Sequence, residues 1–122
     1  MTDATTVTAW MNDYLRAWDS NAPDDIRALF TAAAEYRTAP FDAPRAGIDA
    51  IIAGWVEDQD QPGDHEFTWN LLGIDGDLAF VEGDTIYSQE RRYANLWVIR
   101  FADDGRATSF TEWYMQRPTA AA

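Results

Sequence analysis

HEFTWNLLGIDGDLAFVEGDTIYSQERRYANLWVIRFADDGRATSFTEWYMQ, residues 65–116, decides the fold. Phe67, Trp69 and Leu71 alternate with Glu66, Thr68 and Asn70, the period of two that marks a strand with one wet face. Asp75-Gly76 and Asp104-Gly105 are hairpin turn signals. They separate three further strands, expected over 78–88, 93–101 and 106–116, with a polar turn at 89–92. Four long strands in immediate succession fold as an antiparallel sheet.

Upstream of residue 65 the period changes. Val7, Trp10, Met11, Tyr14, Leu15 and Trp18 recur at three- and four-residue steps, one face of an amphipathic helix that Thr5 or Thr6 would cap. Ser20-Asn21-Ala22 ends it. Pro23 opens a second helix, with Asp24 and Asp25 in the first turn, where the helix dipole favours acids. Ile26, Leu29 and Phe30 form its apolar edge. A short extended piece is expected over 34–38. Pro40, Pro44 and Gly47 punctuate the chain before a third helix, carried by Ile48, Ile51, Ile52, Trp55 and Val56. Residues 57–64 are polar, contain Pro62-Gly63 and read as a loop. Helices followed by a run of strands indicate an α+β fold. The expected architecture is a cone: a curved, mostly antiparallel sheet packed on three N-terminal helices and wrapped around the third, enclosing a largely apolar pocket.

The chain has 122 residues, the size of one domain, with a disordered tail expected from about residue 118. Hydrophobic side chains make up 47% and aromatics 14%, including six Trp, more flat apolar surface than a core this size needs. Twenty-one acidic against nine basic residues give a formal charge of -12. That field repels phosphate backbones and anionic membranes, so neither nucleic acid nor membrane is an expected partner. With no cysteine and one histidine, neither disulfides nor thiolate or multi-histidine metal sites can form. MTDATTVTAW at the start has no basic region and no apolar run, and no segment approaches a membrane span. A cytoplasmic location is the expectation.

Three stretches resemble the nuclear transport factor 2-like superfamily and its SnoaL-like domains: YLRAWDSNAPDDIRALF at 14–30, EYRTAPFDAPRAGIDAIIAGW at 35–55, and IRFADDGRATSFTEWYM at 99–115. The resemblance covers nearly the whole chain. It implies a cone-shaped α+β domain hosting small-molecule chemistry without a cofactor, as in polyketide cyclases, ketosteroid isomerases, scytalone dehydratase and limonene epoxide hydrolases. One scaffold hosts many chemistries, so roles carry over only residue by residue. The epoxide hydrolases hold their lytic water with a Tyr and an Asn that correspond to Tyr36 and Thr38. Their last-strand Asp corresponds to Glu112. Their Arg-x-Asp pair corresponds to Gly83 and Thr85, so the complete triad is missing and epoxide hydrolysis is not expected. The helix-one Tyr that ketosteroid isomerases use as an oxyanion donor is comparable to Tyr14. The two histidines of scytalone dehydratase have one possible counterpart.

Glu112 is the leading catalytic candidate. Alternation puts Phe110, Glu112 and Tyr114 on one face of the last strand, and the resemblance makes that face the inner one. A carboxylate in an apolar cavity has a raised pKa and can act as a general acid or base. The competing role is structural, paired to a Tyr or to Arg100 or Arg106. Tyr36 and His65 are the expected assistants; a surface histidine at a strand end is the plainer alternative for His65. Tyr14, Thr38 and Asn95 are expected ligand contacts, with a core aromatic the alternative for Tyr14 and Tyr36 and a solvated side chain the alternative for Asn95. Trp55, Phe67, Trp69, Tyr87 and Trp97 are expected apolar wall, with ordinary core packing the alternative for each. Arg91 and Arg92 read as a solvated turn. The function expected is cofactor-free acid-base chemistry on a small, largely apolar metabolite, by isomerisation, dehydration, cyclisation or hydrolysis. A non-catalytic binding module and a dimerisation domain are the alternatives. A homodimer is expected because Leu96 and Val98 would place apolar surface on the outer face.

Overall fold

The computed structural model describes residues 2–61, 63–87 and 91–118. The element order is α1 (Ala4–Ser20), α2 (Pro23–Arg27), β1 (Phe30–Arg37), β2 (Arg45–Ala46), α3 (Ile48–Glu57), β3 (Glu66–Asp75), β4 (Leu78–Ile86), β5 (Arg92–Phe101) and β6 (Ala107–Gln116). One curved, unclosed sheet takes all six strands in the order β2-β1-β6-β5-β4-β3. Neighbours run antiparallel except β1 and β6, which are parallel. Helices α1 to α3 cover the concave face, giving the α+β cone that the sequence pattern implies.

The sequence misplaces several boundaries. Asp3, not Thr5 or Thr6, caps α1: its Oδ1 accepts the Thr6 N–H at 2.8 Å. An aspartate does this better than a threonine because its charge also meets the helix dipole. Asn21 ends α1 in the left-handed conformation, φ 54°. Helix α2 stops at Arg27, so Leu29 and Phe30 are buried but lie beyond it; Phe30 begins β1 four residues before the extended piece expected at 34–38. The two-residue β2 carries too little pattern to be seen in sequence. Val56, expected on the buried edge of α3, is 41% exposed. The expected loop residue Pro62, the 89–90 part of the expected turn, Ser88 and the tail beyond Pro118 lie outside the described residues.

The main plug of the cone is α1, not α3. Val7, Trp10, Met11 and Tyr14 are all buried along one face of α1. Trp10 meets Phe30, Phe101 and Phe110 with ring centroids 6.1, 6.0 and 5.6 Å away, and its Nε1 donates to Leu29 O at 3.0 Å. From the sheet come Ala79, Val81, Trp97, Ile99, Phe101, Ala107 and Phe110, the inward-facing residues of β4, β5 and β6. Helix α3 adds Ile51 and Trp55.

Gly83 on β4 is a packing requirement. A Cβ there would lie 2.5 Å from the Phe67 ring and 3.1 Å from Thr68 O. Phe67 in turn stacks on Trp97, centroids 4.9 Å apart and planes within 14°. Gly83→Ala is therefore expected to push Phe67 off Trp97 and lower stability by about 1–3 kcal/mol, the usual cost of overpacking. Urea denaturation measures it, and an unchanged midpoint would show that the ring moves without cost.

Candidate functional site

Glu112 is placed by register. β5 and β6 pair antiparallel with Trp97 opposite Glu112 and Asn95 opposite Tyr114. Cross-strand partners share a face, and Trp97 is 1% exposed, so Glu112 points into the cone. Here α1 no longer fills the concavity. Two cavities of about 280 and 260 Å³ meet at this residue. They share Trp18, Tyr87, Arg91, Glu112 and Tyr114, and so are two lobes of one cleft.

The first lobe is lined by Tyr14, Tyr36, Thr38, Arg45, Trp55 and the segment 58–60 as well as the shared residues. Tyr14 and Tyr36 hydroxyls lie 3.1 Å apart. The Tyr36 hydroxyl also acts on the Glu112 carboxyl, favouring its charged form, so the hydroxyl pair stands beside the acid. Burial pushes the pKa of both tyrosines well above the ordinary value, keeping them neutral donors. Burial also raises Glu112, from 4.5 to about 7; the Tyr36 hydrogen bond and the charge of Arg45 pull the other way, and Asp60 adds a small upward push. The group is therefore divided between acid and base near neutral pH, the condition for proton transfer in both directions.

Arg45 reaches the lobe from β2. It lies across α3 at Gly54, where a Cβ would collide with its guanidinium, and it pairs with Asp58 at 2.8 Å. The rim is fastened by Asp60. Its carboxylate accepts from Trp18 Nε1 at 2.9 Å and Tyr87 Oη at 2.8 Å. Asn21 links the same loop to α3, donating to Asp60 O at 2.8 Å while accepting from Trp55 Nε1 at 3.0 Å.

The second lobe adds Thr85, Tyr93 and Asn95. Thr85 Oγ1 donates to Asn95 Oδ1 at 2.7 Å, and both residues are buried. The Arg91 guanidinium lies 4.1 Å from the centroid of Tyr87 and 5.9 Å from that of Tyr93, and its Nε donates to the Tyr93 hydroxyl at 3.3 Å.

Of the residues singled out in the sequence, Glu112, Tyr36, Tyr14, Thr38, Trp55, Tyr87 and Asn95 line the cleft. Phe67, Trp69 and Trp97 do not. Trp97 is sealed beneath the floor, Phe67 is stacked on it, and Trp69 packs against the same core. Their alternation identifies the inner face but not whether a helix already covers it. His65 stands behind the wall: its ring stacks on Trp18 at 3.7 Å and lines neither lobe. Its Nδ1 is buried without a partner among the described residues, and burial lowers its pKa from 6.5 against the pull of Asp60, Asp19 and Asp64. Arg100 and Arg106, the alternative partners of Glu112, pair instead with Asp77 and Asp104. The expected largely apolar pocket has a polar rim, built by Asn21, Arg45, Asp58, Gln59, Asp60 and Arg91, which sequence reasoning missed. Trp18 was legible as a helix residue and Asn21 as part of the helix end, but their reach to a loop about forty positions away carries no local signal.

The chain matches the family model of the SnoaL-like domain over residues 11–110. Similar crystal structures include a candidate ketosteroid isomerase from Kribbella flavida, 20% identical, TM-score 0.73, covering 100% of this chain and 87% of that one. An NTF-2 like protein of unknown function from Burkholderia xenovorans is 15% identical, TM-score 0.75, with 97% and 89% covered. An LEH-like epoxide hydrolase of M. tuberculosis is 18% identical, TM-score 0.62, with 91% and 84% covered. No protein of curated function matches significantly. At these identities the structural likeness speaks for the fold.

The ionisation of Glu112 is directly measurable. ¹³C NMR of the labelled carboxyl is expected to titrate near pH 7, and Tyr36→Phe, which removes a donor to the charged form, is expected to raise that midpoint further. Because the folded state holds the proton more tightly than the unfolded chain, Glu112 subtracts from stability as pH rises from about 4.5 to 7. Glu112→Gln should flatten that fall and gain on the order of 1–3 kcal/mol at pH 8. A carboxyl titrating near 4.5 would contradict the desolvated site.

Proposed function

Since the chain belongs to the SnoaL-like domain family, within the nuclear transport factor 2-like superfamily, we propose that it binds a small molecule in the cleft and performs cofactor-free acid-base chemistry on it. The observation that carries this is Glu112, raised to about 7 where two lobes meet and in contact with the Tyr36–Tyr14 hydroxyl chain. Glu112 exchanges the proton. Tyr36 holds the carboxylate and donates to charge that develops on the ligand. Tyr14 in turn donates to Tyr36. Trp55, Tyr87 and Tyr114 supply apolar wall. His65 assists indirectly, by holding Trp18 against the rim. Thr85 offers no second carboxylate opposite Glu112, and at Gly83 the Phe67 ring occupies the space of a longer side chain. Both disfavour epoxide hydrolysis and favour isomerisation, dehydration or cyclisation.

A panel of small uncharged ketones, hydroxyketones and unsaturated ketones, followed by NMR, tests the proposal. At least one is expected to turn over, with kcat/KM inflecting near pH 7. Glu112→Gln should cost ~10²-fold or more in kcat while binding persists. Binding with no turnover of any member would favour the non-catalytic alternative, and turnover in Glu112→Gln within about threefold of wild type would remove Glu112 as the catalytic group.

We further propose a homodimer through the outer sheet face. Leu96 is 36% exposed and Met115 65%, and Val98 and Trp113 are only partly buried beside them. Light scattering at micromolar concentration is expected to give twice the chain mass, and Leu96→Arg to halve it. A monomer in the wild type would refute the assembly.

A further inference from the structure

The amide of Asn95 is built into the second lobe and left half-satisfied. Asn95 is 8% exposed and lines the lobe with Thr85. Thr85 Oγ1 donates to Asn95 Oδ1 at 2.7 Å, which fixes the amide plane and turns Nδ2 the other way. Among the described residues nothing accepts from Nδ2. That donor is not sealed inside the protein but opens onto the lobe, where a ligand acceptor can replace the solvent it meets. Thr85 is itself buried on the neighbouring strand, two positions from Gly83, the cross-strand partner of Asn95. The clamp is therefore held by the sheet and not by a loop.

Its position ties it to Glu112. Asn95 lies opposite Tyr114 and Trp97 opposite Glu112, so Asn95 and Glu112 are diagonal neighbours on one face. In a regular sheet such Cβ atoms are roughly 7 Å apart. A molecule hydrogen-bonded to both has its two contact atoms within a few bonds of each other. Asn95 Oδ1 is engaged by Thr85, so the amide offers a ligand its donor and not its acceptor. An anion would meet Glu112 on the diagonal and a chain of net charge -12.

We propose that Asn95 Nδ2, oriented by Thr85, is the specificity anchor of the cleft, and that it selects uncharged ligands with an acceptor oxygen, such as a carbonyl or ether, a few bonds from the atom that trades a proton with Glu112. This deepens the functional reading above and rests on the cleft being a ligand site.

Acetophenone and its hydrocarbon isostere α-methylstyrene test it, because they share shape and differ in the acceptor. Dissociation constants are measured by NMR titration against wild type, Asn95→Leu and Thr85→Val. Asn95→Leu is expected to shift the ratio of the two constants about tenfold toward the hydrocarbon. Thr85→Val, which keeps the amide but frees its orientation, should shift it part of the way. The carbonyl stretch of bound ¹³C-labelled acetophenone should lie lower in wild type than in Asn95→Leu, a signature that a purely structural Asn95 would not produce. A ratio and a stretch that Asn95→Leu leaves unchanged would overturn the anchor while the cleft stands. If neither probe moves any cleft resonance, the cleft reading falls and the anchor falls with it.

Discussion

Tyr14 packs against Phe110, Trp97 and Trp55 at once, with ring centroids 5.4, 4.7 and 5.1 Å away. This contact sets how far α1 can fill the cone. Below it, Trp10 and Met11 occupy the full depth between helix and sheet, and the interior is dry. Above it the next residue on the α1 face, Trp18, leans outward to reach Asp60 and leaves a gap. The cleft thus exists because the buried aromatic ridge of α1 ends at Tyr14 while the inward face of the sheet runs on to Glu112 and Asn95. A hydroxyl at the end of that ridge, and not a plain ring, gives the dry core a polar tip at the gap.

The same geometry gives Glu112 its chemistry. It sits at the first inward position of β6 beyond the buried Phe110, where apolar packing stops and the cleft begins. Placed two residues earlier it would be buried without relief; two later it would be solvated, as the 51% exposure of Tyr114 indicates. The Tyr36 donor and Arg45 moderate the cost of the charge without removing it, which holds the acid near 7 instead of far above. Arg45 is kept from closing a full ion pair with Glu112 by Asp58, which holds the guanidinium at the rim at 2.8 Å.

How much of this was legible in the sequence follows from the range of each interaction. Strand alternation is local, so which residues of β3 to β6 share a face could be read directly, whereas the inward direction of Glu112 came from the resemblance. The resemblance added Tyr36, Thr38 and Tyr14. Phe67, Trp69 and Trp97 were misassigned to the cleft wall because alternation reports a face and not its depth. Asp60, Asn21 and Arg45 were missed because their roles depend on a loop closing over the cone from another part of the chain. No spacing encodes the meeting of Trp18, Tyr87 and Asp60, which joins α1, the end of β4 and the loop after α3.

The charge of the chain and the chemistry of the cleft are linked. A net charge of -12 surrounds an interior whose cations, Arg45 and Arg91, are each engaged with the wall, one by Asp58 and Tyr36, the other by the Tyr87 and Tyr93 rings. Neither arrangement presents a guanidinium fork to a carboxylate or phosphate in the way anion sites do. Both place the cation near aromatic rings, and Arg45 also tempers the field felt by Glu112. An anionic ligand would have to enter against the surrounding acids and then sit beside a carboxyl that its own charge would push further toward the protonated form. An uncharged ligand meets neither obstacle and leaves Glu112 free to cycle between its two states. The acidity of the surface and the half-ionised acid at the floor therefore favour the same occupant, a neutral molecule held by shape and by a few hydrogen bonds.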